Sequence, residues 1–127
     1  MVGTDIIEVE RIEKLIKSKG QKFLKKIYTQ IEINYCESKG PNKYQHYAGR
    51  FAAKEAIFKA VGDFYSKFTH VNPPLFKGIE IKNKDNGILY VDIIPDTLKI
   101  GASVRVSISH IKKYAVAVAY IDKLKGN

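Results

Sequence analysis

At 127 residues, with 45% hydrophobic and 28% charged content, the chain has the size and make-up of one globular domain spanning 1–127. No apolar run approaches the roughly 18 residues a membrane helix needs, no signal-peptide pattern opens the chain, and the lone Cys36 excludes an intramolecular disulfide or zinc-ligand spacing, so a reduced, cytoplasmic protein off the membrane is expected. Twenty-two basic residues against thirteen acidic ones leave a net charge of +9, a field that attracts nucleic acid, anionic lipid, phosphorylated ligands or an acidic protein.

Met1 to Asp5 reads as the end of a short strand turning into a helix, and Asp5 with Glu8 three residues on resembles a capping box. Val9, Ile12, Leu15 and Ile16 recur at helical spacing until Gly20. Phe23, Leu24, Ile27 and Tyr28 form a second short helical face flanked by Lys22, Lys25 and Lys26. Thr29 and Glu32 make a capping box that restarts the chain as another helix, and Gly40-Pro41 stops it. Asn42 with Gln45 can cap the next helix, which runs through Tyr47, Phe51 and Phe58 to Gly62. That helix is apolar on almost every side, as expected of one buried between other elements. Glu55 nonetheless shares a face with Phe51 and Phe58 and needs a partner, with Lys59 one turn on as a candidate. The segment alone is equally compatible with a Glu-Lys helix pair and with a functional carboxylate.

Asp63 to Lys77 contains Pro73-Pro74 and reads as a loop. The period then changes. Gly78 to Asn83 alternates, Asp85-Asn86-Gly87 is a hairpin turn, and Ile88 to Ile94 returns as the partner strand. Pro95-Asp96-Thr97 begins a short turn ending at Gly101. Val104 to His110 alternates again, Ile111-Lys112-Lys113 connects, and Tyr114 to Ile121 is the last strand. Ala115, Ala117 and Ala119 share one face of it, which lets an Ala-rich helix approach closely. N-terminal helices packed on a C-terminal antiparallel sheet make an α+β domain.

Asp5, the Glu55/Lys59 pair and Ser107-Ile108-Ser109-His110 are the polar features at element ends. His110 alone is more often a hydrogen-bonded strand end than a catalyst. Two hard carboxylates suit Mg²⁺, which completes its shell with water and substrate phosphate, and Lys59 and His110 would add positive charge for a phosphoryl group. No Gly-rich phosphate loop of a common type is present, which disfavours nucleotide hydrolysis. Composition and spacing reach Mg²⁺-assisted phosphate chemistry and stop there.

Three stretches go further: Gly3 to Ile12, Arg50 to Ala56 with Lys59-Ala60, and Val106 to His110. Together, in that order and over nearly the whole chain, they resemble the signatures of the holo-acyl-carrier-protein synthase family, the small bacterial branch of the 4′-phosphopantetheinyl transferases. Thr29-x-x-Glu32 and Ile79-Glu80-Ile81 also fall where that family has similar residues. The resemblance implies a transferase that moves 4′-phosphopantetheine from coenzyme A to a serine of apo acyl carrier protein, releasing adenosine 3′,5′-bisphosphate in support of fatty acid biosynthesis. It implies Asp5 and Glu55 as Mg²⁺ carboxylates and Lys59 beside the reacting pyrophosphate. It further implies Arg50, Ser109 and His110 with Lys59 in the coenzyme A cleft, and Arg11, Lys22 and Lys26 as the docking surface for the acidic carrier. A homotrimer with active sites at subunit boundaries is also implied. Two departures from the family pattern stand out. Only Met1 and Val2 precede Gly3, which clips the first strand, and Ile88-Leu89 stand where the family often has a basic residue and proline. The rival readings are a basic nucleic-acid-binding module, for which no recognition motif accompanies the charge, and a non-catalytic binder of an acidic protein.

Overall fold

A computed structural model describes residues 1–61, 76–93 and 104–122. In chain order these form β1 (Val2–Glu8), α1 (Val9–Lys19), α2 (Gln21–Ile27), α3 (Gln30–Glu37), α4 (Lys43–Val61), β2 (Ile79–Asn83), β3 (Leu89–Ile93), β4 (Val104–His110) and β5 (Tyr114–Ile121). Short 3-10 turns precede α4 at Gly40–Asn42 and β2 at Phe76–Gly78. The expected stop at Gly62, the loop with Pro73-Pro74 and the turn from Pro95 to Gly101 lie outside the described residues.

The 19-residue helix α4 is the centre of the core. Tyr47, Ala48, Ala52, Ala53, Ala56 and Ile57 are fully buried along it, covering several of its sides as the sequence requires. Against it lies a three-stranded antiparallel sheet in the order β1-β5-β4. Burial alternates strictly along β5, with Ala115, Ala117, Ala119 and Ile121 turned inward. Small side chains on both elements bring helix and sheet close together. Gly3 of β1 marks the closest approach: a Cβ there would stand 2.0 Å from the Ala56 carbonyl oxygen and 2.5 Å from the Ala60 nitrogen.

The opening of the chain differs from the expected strand-to-helix turn at Asp5. β1 continues through Glu8, pairing residue for residue with β5 from Val2↔Tyr120 to Glu8↔Tyr114. Asp5 therefore sits in mid-strand opposite Ala117, and the residue preceding α1 is Glu8, without a side-chain cap. The strand is not curtailed by its short lead-in, because Met1 too is tied to Ile121 through its amine and its carbonyl. The sheet thus recruits the N-terminal strand alongside the C-terminal ones.

Three other local expectations are met, whereas Gln45, expected to help cap α4, turns its Oε1 to His110 instead. Gly20 (φ 58°) ends α1, and Thr29 and Glu32 exchange both bonds of a capping box. The β2–β3 hairpin turns through Asn86 and Gly87, whose φ of 84° suits glycine. Ile79 and Ile81 carry this second, two-stranded sheet into the core. On the face of the larger sheet away from α4, Val2, Ile6, Tyr114, Val116, Val118 and Tyr120 are all exposed, between 38% and 66% of their surface.

Candidate active site

β1 alternates outward Thr4 and Ile6 with inward Gly3, Asp5 and Ile7. Because Gly3 lets the strand lie against α4, Asp5 two residues later comes within reach of the helix's last turns. Lys59 Nζ donates to Asp5 Oδ1 at 2.9 Å. This corrects the partner suggested by sequence spacing: the Lys59 ammonium bonds to Asp5 across the strand–helix contact rather than to Glu55 one turn back. The bond to Asp5 is the main cause of the raised Lys59 pKa.

Glu55 lies beside this pair, half-buried. Burial and then the Asp5 charge push its carboxyl up, while Lys59 and Arg11 of α1 pull the other way. Among the described residues no hydrogen bond or ion pair holds its carboxylate. Two carboxylates in one electrostatic neighbourhood, one without a partner among the described residues, form a donor set fit for a hard divalent cation that completes its shell with water and phosphate oxygens. Among the described residues no group of three or more His, Cys, Asp or Glu forms a metal cluster. Cys36 is no alternative nucleophile, since it is fully buried and burial pushes its thiol up to about 12.

A second constellation forms on another side of α4. Arg50 is 4% exposed, with one guanidinium NH₂ donating to Asn83 Oδ1 of β2 and its central carbon 4.2 Å from the centroid of the Tyr35 ring. Its Nε has no hydrogen-bond partner among the described residues. A cavity of about 190 Å³ lies here, lined by Tyr35, His46, Arg50, Asn83, Ile108 and His110 among others. His46 and His110 meet edge to face with centroids 4.8 Å apart. Burial, then His110, Lys39 and Arg50, bring the His46 pKa down to about 4. The leucine of the departure at Ile88-Leu89 is part of this wall, with Gly87 before it, while Ile88 is exposed.

Asp5, Glu55 and Lys59 are thus gathered in one cluster, and Arg50 and His110 in another. Ser109 joins neither, because β4 alternates and turns it to the exposed face of the sheet, paired with Val116. Arg11 on α1 and Lys22 and Lys26 on α2 are exposed. Near Arg11, a shallow groove includes Lys14, Leu15 and Lys17, and both lysines are engaged in exposed i,i+4 pairs with Glu10 and Glu13. Sequence reasoning missed Tyr35, His46 and Asn83, which line the second cavity from α3, α4 and β2. The helical run from Gln45 through Tyr47 and the alternation ending at Asn83 pass beside these positions without singling them out.

Comparison with known proteins bears on the family. Residues 1–119 match the family model described as the 4′-phosphopantetheinyl transferase superfamily. Holo-[acyl-carrier-protein] synthase of Ruminiclostridium cellulolyticum is 45% identical over 96% of this chain and 91% of its own length, and that of Fusobacterium nucleatum is 43% identical over 94% and 96%. Among solved structures, the Helicobacter pylori synthase in complex with coenzyme A superposes with a TM-score of 0.78 at 30% identity, covering 96% of this chain and all of that one. The Bacillus anthracis synthase in complex with CoA gives a TM-score of 0.73 at 37% identity, covering 94% of this chain and 93% of that one. Matched along nearly its whole length in sequence and in fold, the chain belongs to the 4′-phosphopantetheinyl transferase superfamily.

Proposed function

We propose that this protein transfers 4′-phosphopantetheine from coenzyme A to a serine of apo acyl carrier protein, in support of fatty acid biosynthesis. The observation that carries the reading is the cluster of Asp5, Glu55 and Lys59, two carboxylates and an ammonium brought together by β1 and α4.

In the reaction the carrier serine oxygen bonds to the phosphorus that bears pantetheine. The bond from that phosphorus to the bridging oxygen breaks, and adenosine 3′,5′-bisphosphate departs with the electron pair. A carboxylate or an ordered water takes the serine proton. Asp5 and Glu55 are the residues that would hold Mg²⁺. When bound, the ion offsets negative charge on the pyrophosphate. Lys59, more than half exposed at the edge of the cluster, offers its ammonium to the departing bisphosphate. Arg50 and His110 are assigned to the phosphates of coenzyme A, with the buried guanidinium held ready by Asn83 and Tyr35. Arg11, Lys22 and Lys26 are assigned to the acidic carrier.

The two constellations argue for an assembly. Arg50 precedes Glu55 by five residues and Lys59 by nine, which sets it about 140° and about 180° from them around α4. One coenzyme A can use both sets if a second copy presents its Arg50 and His110 to the first copy's Asp5, Glu55 and Lys59. The exposed apolar side chains that β1 and β5 turn away from α4 are suited to burial against copies of the chain, and a homotrimer with sites at subunit boundaries follows from the family resemblance. No described helix is long and apolar enough to cross a membrane.

The test is to incubate the protein with coenzyme A, Mg²⁺ and apo acyl carrier protein and weigh the carrier. A gain of one phosphopantetheine group is expected. No gain, with tight salt-sensitive binding of RNA or DNA instead, would replace this reading with that of a nucleic-acid-binding module.

A further inference from the structure

His110 closes β4, and Gln45 lies in the first turns of α4, 65 positions away in sequence. The Gln45 Oε1 atom stands 2.8 Å from His110 Nδ1. The next residue on α4, His46, sets its ring edge to face on His110 with 67° between the planes. Tyr35 of α3 packs edge to face on His46 in turn, at 5.6 Å. The His110 ring is therefore held by one hydrogen bond and one ring contact from successive residues of α4. Its two nitrogens have different surroundings. Nδ1 is turned to Gln45, which lines a neighbouring cavity with Glu8 and Lys112, whereas the ring borders the cavity that contains Arg50.

A carbonyl oxygen carries only lone pairs, so at this distance it accepts, and the proton of the neutral imidazole is placed on Nδ1. We propose that Gln45 is a positioning residue that fixes His110 in the Nδ1–H tautomer and leaves Nε2 as the nitrogen available to the cavity. Nε2 then meets a phosphate oxygen as a donor only when the ring carries its second proton, because a bare ring nitrogen repels an anionic oxygen. The charged and titratable groups facing His110 across the cavity are His46 and Arg50 of α4 and Tyr35 of α3, and Asn83 of β2 adds an uncharged amide. Of these, His46 is neutral at physiological pH and does not oppose an imidazolium.

The proposal rests on the reading of His110 as a contact of the coenzyme phosphates only in its kinetic arm. The first experiment needs no ligand: record the ring ¹⁵N shifts of His110 above the imidazole titration, assigned with His46→Phe. Nδ1 should be protonated in the native chain. Gln45→Leu should move the proton to Nε2, the form free histidine prefers, and Gln45→Glu should restore Nδ1–H. In steady-state transfer below the imidazole titration, where Nε2 also carries a proton, Gln45→Leu removes the acceptor that orients the ring and should raise KM for coenzyme A several-fold while kcat and the KM for carrier hold, and Gln45→Glu should rescue it. A native ring protonated at Nε2, which means that the amide nitrogen faces a bare Nδ1, overturns the proposal. So does a tautomer that ignores Gln45→Leu. If the tautomer follows Gln45 and the coenzyme KM does not, Gln45 still positions His110 and it is the phosphate assignment of His110 that fails.

Discussion

Lys54 Nζ donates to Glu32 Oε1 at 2.6 Å, and neither side chain exposes any surface. The same ammonium donates to the carbonyls of Ile27 and Phe76, and Glu32 also accepts from the backbone N–H groups of Thr29 and Ile81. Five elements thus meet on one pair: the end of α2, the start of α3, α4, the 3-10 turn leading into β2, and β2 itself. Removing one partner leaves the other charge buried and unpaired, which costs about 3–5 kcal/mol, more than most single substitutions. Lys54→Met should therefore unfold at much lower urea, and Lys54→Met/Glu32→Leu should recover part of the loss. A double variant no better than the single one would mean that the lost backbone bonds, rather than the stranded carboxylate, dominate.

Gly3→Ala tests the closest strand–helix contact. The added Cβ would stand 2.0 Å from a backbone oxygen that no side-chain rotation can move. β1 must then shift from α4, at a cost on the order of 3 kcal/mol. The shift should also separate Asp5 from Lys59. The expected result is a lower melting temperature together with activity lost at temperatures where the variant is still folded. Full activity in the folded Gly3→Ala protein would detach the cluster from this contact.

Gly3 and Asp5 also show where sequence reasoning reached its limit. The turn at Asn86-Gly87 and the capping box of Thr29 were legible because a positive φ and an i to i+3 bond are local events. Asp5 followed by Glu8 carries the same local cue as a cap. The ladder with β5, more than a hundred residues away, decides instead for a strand. Glu32 was legible as a cap, but its burial against Lys54 was not, since nothing near Thr29 announces a partner 22 positions on. The resemblance brought out Asp5, Glu55 and Lys59 together. The partners of Arg50 stayed hidden because Tyr35 and Asn83 reach it from α3 and β2.

Glu55 should show stability exchanged for function. Its carboxyl pKa is raised in the fold by burial and by Asp5, so ionisation favours the unfolded chain. That cost is fully present above the raised folded pKa. It disappears as pH falls below the ordinary carboxylate value, where both states are protonated. In chelator-treated protein, Glu55→Gln should be more stable than the native chain at neutral pH, and the two should converge on acidification. Transfer activity should collapse in the same variant at ordinary Mg²⁺ concentrations. Near-normal turnover would remove Glu55 from the ligand assignment, and a gap that widened towards acid pH would contradict the sign of the shift.

The docking assignment predicts a split between substrates. Arg11 and Lys22 are exposed on α1 and α2, and attraction to an acidic carrier is screened over about 8 Å near physiological ionic strength. Lys22→Glu with Lys26→Glu should raise the KM for carrier and flatten its salt dependence, while coenzyme A affinity barely changes. Arg11→Glu should add to the effect on the carrier and, because Arg11 also acts on Glu55, weaken the coenzyme A site as well. In the lysine variant, an unchanged carrier KM, or an equal loss of coenzyme A affinity, would move the docking surface elsewhere.

The last prediction concerns the sheet face that α4 leaves uncovered. Val116 and Val118 alternate along the central strand with buried alanines, and Tyr114, Tyr120, Val2 and Ile6 extend the same apolar surface. A charge placed at its middle must be desolvated if the face is covered by another copy, and costs little if it is not. Val118→Lys should therefore leave the monomer fold intact by circular dichroism but shift the mass in light scattering from a trimer to a monomer. If each site needs Arg50 and His110 from a neighbouring copy, activity should disappear with the assembly. Mixing Val118→Lys with excess native chain should not restore it to the variant. A native protein that is already a monomer at working concentration, or a monomeric Val118→Lys that retains full activity, would show that one chain suffices.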